Sequence, residues 1–343
     1  MEKRKLVKSG DFSLTVSLPK GWIERHRLGK GSEVTLLEKT EKLIIFPEKP
    51  REKTEERNKQ YVLSTDNAQI NSLIRDITAA YLTNKGNIKI IGKDLKKTIS
   101  KLKKTISHYP GLEVIEETNN ALLVKDYINI DELIIPDLVR RSDNIIRSLF
   151  LDGLECLETE DKDLAAALEE RDQEVNRQTF LIYKCLNYIN EHPSEGKIHG
   201  IEPKFSTHIW ELNGYLEKIG DEIKRFTRLT PKSGLSVLEK KKIGFLLKKV
   251  EQFYTDIMTA LYKKDPKSSD AASLNRKNIR KEFESFTSKS KSFTSISMVS
   301  KLNYLLSFIN SISRISRYIS FEKHRVIQGP IFLSKQNNEP VDN

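Results

Sequence analysis

Cysteine is nearly missing from this chain, with two in 343 residues, Cys156 and Cys185. Both fall among helical patterns, so a disulfide scaffold is excluded and buried thiols in a reducing compartment are expected. No stretch of 18 consecutive apolar residues occurs, and no membrane-spanning helix is expected. Met1-Glu2-Lys3-Arg4-Lys5 has no apolar run behind it, so no secretory leader is expected and the expected location is cytoplasmic. The six histidines show no metal-ligand spacing. Ile91-Gly92-Lys93 lacks the glycine spacing that cradles a phosphate. No Ser-His-Asp, Cys-His or paired-acid constellation stands in a supporting context, so the expectation is a protein that is not an enzyme.

Charge and helical periodicity are what the sequence has in quantity. Charged residues make up 31% and hydrophobic ones 37%, with a net charge of +11. That balance favours an anionic partner, or plain non-specific adhesion to one. From about residue 129 the sequence reads as successive amphipathic helices. Leu133 to Leu157 carries Leu138, Ile145 and Leu149 in period. Leu164 to Ile189 carries Leu168, Val175, Thr179, Ile182 and Leu186. Ser206 to Leu229 carries Ile209, Leu212, Leu216, Ile219, Ile223 and Phe226. Breaks near His192-Pro193 separate the second helix from the third, which gives a three-helix bundle. A second set follows: Val237 to Tyr262, ended by Pro266, a shorter polar helix from Asn275 to about Thr287, and Thr294 to Phe321 with Leu302, Leu305, Ile309, Ile312, Ile315 and Ile319 in period. Two sets of three helices make an internal repeat.

Glu217 and Asp221 stand four apart on the third helix, on the face opposite its apolar stripe. Two stacked carboxylates can hold a cation through oxygen, or simply form a solvated acidic face. Asp172 falls on the apolar side of the second helix, where a carboxylate is costly unless paired. A metal shared with Glu217 and Asp221 satisfies it, and so does a bridge to Arg141, Arg177 or Arg225. In the second set, Ser313 and Arg317 align with Glu217 and Asp221, so the packing is kept and the carboxylates are lost.

The stretch Leu216-Glu217-Lys218-Ile219-Gly220-Asp221-Glu222-Ile223 resembles the ERIGD signature of the PhoU family of phosphate regulators. That resemblance implies a surface metal cluster, here a divalent or iron-type ion at the first bundle on Asp172, Glu217 and Asp221. The acidic D-x-x-x-D element of that family reads Asp172-Gln173-Glu174-Val175-Asn176 here, so its second acid has become an amide. The resemblance also implies restraint of phosphate uptake or of phosphate-responsive transcription, and a transporter or signalling protein as partner.

The first sixty residues are of another kind. Leu6-Val7 and Phe12 to Leu18 read as strands around Ser9-Gly10-Asp11. Pro19 suits the first position of a short helix, Gly29-Lys30-Gly31 ends it, and two more strands run from Glu33 to Leu37 and Leu43 to Pro47. So small a β-β-α-β-β unit buries little apolar surface, and a dimer is expected. Ser17-Leu18-Pro19-Lys20 with Trp22, then Leu28-Gly29-Lys30-Gly31-Ser32-Glu33-Val34, resemble the SpoVT/AbrB swapped-hairpin domain. The resemblance implies a homodimer with basic DNA-contacting loops. Over residues 1–30 eight cationic residues face three acidic ones. Arg4, Lys5, Lys8, Lys20, Arg25 and Arg27 are the candidate phosphate contacts. A dimer module whose charge is only structural is the alternative.

The expected fold class is therefore α+β and mainly α. A swapped-hairpin unit (1–48) and a charged linker (49–60) come first. A small α+β domain of β-α-β-α-β-β order (61–128) follows, with a lysine-rich helix at Leu95 to Ser107. Two tandem three-helix bundles (129–230 and 231–327) and a polar tail expected to be disordered (328–343) complete it. Two functions fit this layout: a DNA-binding regulator of phosphate homeostasis, or an adaptor that docks on a transporter or signalling protein and uses its head only to dimerise.

Overall fold

The computed structural model describes residues 3–10, 13–39, 42–47, 60–66, 68–93, 95–231 and 233–325. The expected tail, and the expected linker apart from Gln60, lie outside the described residues. The chain divides into two compact units, residues 1–59 and 60–343.

The first unit is strand-rich. Strand β1 (Val7–Ser9) pairs antiparallel with β2 (Ser13–Thr15), and β3 (Val34–Lys39) pairs antiparallel with β4 (Lys42–Pro47). The two pairs form separate two-stranded sheets, joined by helix α1 (Lys20–Arg25). Strand β2 is shorter than expected, because β1 offers three residues to pair with it. Pro19 sits one position earlier than expected, as the cap of α1. The helix stops before the glycines. Arg27 takes a left-handed backbone (φ 51°), and Leu28 N–H returns to the Ile23 carbonyl at 3.0 Å. Gly31 (φ 86°) then turns the chain toward β3. Among the side chains described in this unit none is buried, and Leu6, Val7, Leu14, Leu36 and Leu43 are all more than half exposed.

The second unit opens with the small domain. Strands β5 (Gln60–Ser64), β6 (Asn87–Ile91), β7 (Leu112–Glu117) and β8 (Ala121–Asp126) form one sheet in the order β5-β6-β8-β7. Strands β5 and β6 run parallel, and the other pairs antiparallel. Helices α2 (Ile70–Leu82) and α3 (Leu95–Ile106) supply Leu73, Ile77, Tyr81, Leu95, Leu102 and Ile106 to the core beneath the sheet. The alternate buried positions Ile88, Ile90, Leu122 and Val124 show the period-2 pattern of a one-sided sheet.

Six helices follow: α4 (Ile135–Thr159), α5 (Lys162–Glu191), α6 (Ser206–Thr227), α7 (Val237–Lys263), α8 (Pro266–Thr287) and α9 (Phe293–Arg325). Helices α4, α5 and α6 pack on one another, as do α7, α8 and α9. The trios meet where α6 lies on α9 and α4 on α7, so all six helices share one continuous apolar core. Every apolar residue expected on the stripes of α6 and α9 is buried. In α4 the core position is Ile146, with Ile145 half-buried beside it. Helix α8 is longer than expected. Pro266 opens it instead of ending the previous segment, because Asp265 caps it by accepting from Lys267 N–H (3.0 Å) and Ser268 N–H (3.3 Å). Cys156 and Cys185 are free and fully buried, and burial pushes their thiols up to about 11 and about 12. That makes them packing residues without thiolate reactivity.

The small domain is pinned to α5 by a buried charge. Lys184 Nζ lies 2.5 Å from Asp126 Oδ2, donates to the Tyr81 carbonyl at 3.0 Å and sits 4.3 Å from the Tyr81 ring centre. Asn187 donates to the Leu82 carbonyl nearby (2.9 Å). Removing one partner of a buried pair strands the other. Lys184→Met is therefore expected to lower stability by about 3–5 kcal/mol in urea denaturation. Adding Asp126→Asn is expected to recover part of that loss, and equal stability of the single variant and the parent would dismiss the pin.

Candidate functional site

Two places hold the residues singled out above. The first is where α5 passes α6. Helix α5 starts at the Asp161 cap, which accepts from Asp163 N–H (2.7 Å) and Leu164 N–H (3.1 Å). Its apolar stripe carries Asp172 into the helix interface, where the side chain is 3% exposed. Opposite it stands Gly220 of α6. A Cβ there would lie 3.2 Å from Asp172 Oδ1 and 3.6 Å from the Val175 methyls, so the glycine lets the two helices close on the acid.

Asp172 is not paired with Arg141, Arg177 or Arg225. Its partner is Lys224, one turn beyond Gly220 on α6. Lys224 Nζ is 2.5 Å from Asp172 Oδ2 and 2.5 Å from Asp221 Oδ1. Arg225 approaches Asp221 at 3.3 Å and also pairs with Glu222, whose other oxygen lies 3.7 Å from Lys301 on α9. Arg228 closes the row on Glu169 of α5, at 2.6 and 3.0 Å. An open cleft of about 600 Å³ runs beside this row, lined by Lys162, Glu169, Asp172, Asn176, Lys224 and Arg228. Sequence reasoning misses Lys224. The available signal is its place three residues after Asp221, within reach on the same helix face.

Glu217 does not face out as a helical wheel suggests. It is half-buried, because α5 lies along that flank of α6, and its charge reaches Tyr183 of α5. Burial pushes the Glu217 carboxyl above its ordinary range, and the charges of Asp221 and Asp172 push it further, against Lys218 and Lys224. Burial also raises Asp172, which Lys224 partly offsets and Asp221 reinforces. Burial works against the Lys224 ammonium, but its hydrogen bonds to Asp172 and Asp221 outweigh that, and the group stays charged. The three acids are thus brought near one another, but two of them point at an ammonium. As placed, they do not fit a metal ion: Asp172 and Asp221 direct oxygens to a point that Lys224 already holds. Among the described residues no group of three His, Cys, Asp or Glu side chains is arranged to hold a metal.

The second place is the basic unit. Arg4, Lys5, Lys8, Lys20, Arg25 and Arg27 are all exposed. Arg4 donates to Ser17 Oγ at 3.1 Å, which ties the segment before β1 to the end of the hairpin. Lys8 lies within β1, and Lys20 and Arg25 open and close α1, with Lys20 3.7 Å from Glu24. Long cations on short strands and helix ends can track a phosphate backbone without a preformed pocket.

These features define an α+β protein that is mainly α, with a basic strand-rich unit ahead of a helical body. Two family models match segments of the chain. The chain carries a PhoU domain, matched over residues 139–230. It also carries a domain of the MazE and AbrB type, matched over residues 7–53 to the family described as antidote-toxin recognition MazE, bacterial antitoxin. Two solved structures are similar in part. The phosphate transport system regulatory protein PhoU from Streptococcus pneumoniae is 12% identical, with a TM-score of 0.46 over 55% of this chain and 94% of that one. PhoU from Pseudomonas aeruginosa is 18% identical, with a TM-score of 0.40 over 55% and 92%. No curated protein matches the sequence. No helix among the described residues is long and apolar enough to cross a membrane.

The raised carboxyl of Glu217 sets a sign. The folded protein holds the Glu217 proton more tightly than the unfolded chain does, so the charge destabilises the fold above the folded pKa and has no effect below the unfolded one. Glu217→Gln is therefore expected to melt at a higher temperature than the parent at about pH 7.5, the gain vanishing near pH 4. A thermal scan at the two pH values checks it, and a loss of stability at the higher pH would show that the charge is used.

Proposed function

We propose that this protein is a DNA-binding regulator of phosphate homeostasis, cytoplasmic and not an enzyme, which restrains phosphate uptake or phosphate-responsive transcription. The observation that carries the reading is the joining, in one chain, of a MazE-type segment at 7–53 and a PhoU domain at 139–230. DNA is the partner that the exposed cations of the first unit suit, because phosphate contacts need charge and reach more than shape. A second copy of the chain is the other partner. Two separate two-stranded sheets with no buried residue among the described side chains are marginal alone, and a second copy gives Leu6, Val7, Leu14 and Leu36 something to pack on. A signal passes to DNA only if it binds two conformations of the protein unequally.

A specific observation favours the adaptor as a second reading. Val237 and Leu238 at the start of α7 and Phe293 at the start of α9 are 71%, 62% and 84% exposed, which suits docking on a transporter or signalling protein. One variant separates the two. With Lys8, Lys20, Arg25 and Arg27 all changed to alanine, the regulator reading expects about tenfold or greater loss of DNA affinity by fluorescence anisotropy. It also expects a shallower salt dependence and, by light scattering, an unchanged dimer mass. DNA binding that survives in the variant, or that never depended on salt, leaves the adaptor. Mapping bound genomic sites at high and low phosphate then identifies the regulated genes.

A further inference from the structure

The acids on α5 and α6 come with their own cation. Lys224 Nζ bridges Asp172 and Asp221 at 2.5 Å each, and its side chain is 16% exposed. A hard divalent ion bound by carboxylates needs their oxygens at about 2.0–2.6 Å. The point that satisfies both Asp172 Oδ2 and Asp221 Oδ1 is the point the ammonium fills. Two cations do not share it.

We propose that Lys224 is the resident cation of this site: a tethered ammonium that takes the place of the metal ion the resemblance implies and keeps such an ion out. The neighbouring charges agree with that assignment. Arg225 serves Asp221 from the other side, and Arg228 neutralises Glu169 at the edge of the cleft, so the row supplies its positive charge from its own helix. The second trio holds a comparable pair. Arg317 stands at the register position of Asp221 and pairs with Asp270 of α8 at 3.0 Å. Ser313, at the position of Glu217, is held by Ser273 at 3.0 Å. Both trios thus carry a built-in side-chain cation beside an acid.

An acidic seat lies beneath the lysine. Asp172 Oδ1 is buried and has no hydrogen-bond partner, Asp221 turns Oδ1 to the Lys224 ammonium and Oδ2 to Arg225, and Glu217 is close enough for its charge to be felt. Without Lys224, Asp172 Oδ2 and Asp221 Oδ1 face one point, and two carboxylate oxygens completed by water suit a hard ion such as Mn²⁺. The site is latent for metal and silenced by one side chain.

The experiment uses the full chain, dialysed free of metal and compared in EDTA and in Mn²⁺ by thermal melting, titration calorimetry and elemental analysis. The parent is expected to hold far less than one Mn²⁺ per chain and to melt at the same temperature in both buffers. Lys224→Met is expected to melt lower in EDTA, to regain several degrees in Mn²⁺, and to bind about one ion per chain, since a ligand of the native state alone stabilises it. Lys224→Met/Asp172→Asn is expected to lose that binding. A parent that holds about one ion per chain, released by Glu217→Ala/Asp221→Ala, overturns the proposal, and so does a folded Lys224→Met that binds none. If Lys224→Met does not fold, Lys224→Gln takes its place, and the parent arm decides by itself whether the seat is already closed.

Discussion

A carboxylate inside a helix interface has to be answered by a positive charge, and the place where α5 meets α6 is built around that demand. Asp172 sits on the apolar stripe of α5, between Leu168 and Val175, where its carboxylate is almost wholly buried. Gly220 brings the α6 backbone close, and Lys224 reaches back one turn to supply the charge. The same ammonium holds Asp221, so a single side chain neutralises an acid on each helix. The rest of the row, Arg225 with Glu222 and Arg228 with Glu169, continues the alternation of sign. The interface can therefore be both acidic and packed, which an uncompensated cluster cannot be.

The same physics recurs where the small domain meets the helical body. Lys184 is nearly as buried as any core leucine, and it is held there by Asp126, by the Tyr81 carbonyl and by the face of the Tyr81 ring. Phe180 packs against Tyr81 and Tyr109 beside it, so the polar pin is surrounded by an aromatic wall. Low exposure strengthens both interactions and makes each partner intolerable alone. The strand-rich unit shows the opposite regime. None of its described side chains is buried, Arg4, Lys5, Lys8, Lys20, Arg25 and Arg27 point to water, and Leu6, Val7, Leu14, Leu36 and Leu43 are exposed. The helical body holds a continuous apolar core of its own, whereas the described side chains of the basic unit build none.

Much of the fold is legible in the sequence because it rests on local rules. The stripes of α6 and α9 read directly as buried faces, since apolar residues held in a 3.6-residue period over twenty residues mark one side of a helix. The order of strands and helices in the small domain follows from turn residues and alternation. Helix α8 outruns its sequence signal because its first nine residues are mostly polar and carry no period, and a proline there reads as a stop. The Asp265 cap, a contact of two or three residues, reverses that meaning. A wheel puts Glu217 on an outer face because it describes one helix and not the neighbour lying against it.

What the sequence determined by itself was the order of elements, basic strands first, then a small sheet with two helices, then six amphipathic helices, together with the acids on α5 and α6. Those features depend on periodicity, capping and charge counts, all of which act within a few residues. Only the tertiary structure decided which cation answers Asp172. Several basic residues were eligible, and the choice turned on how closely Gly220 lets α6 approach α5 and on where that leaves the Lys224 ammonium. Pairing between helices is fixed by packing distance, and packing distance is a property of the assembled core that no stretch of sequence carries alone.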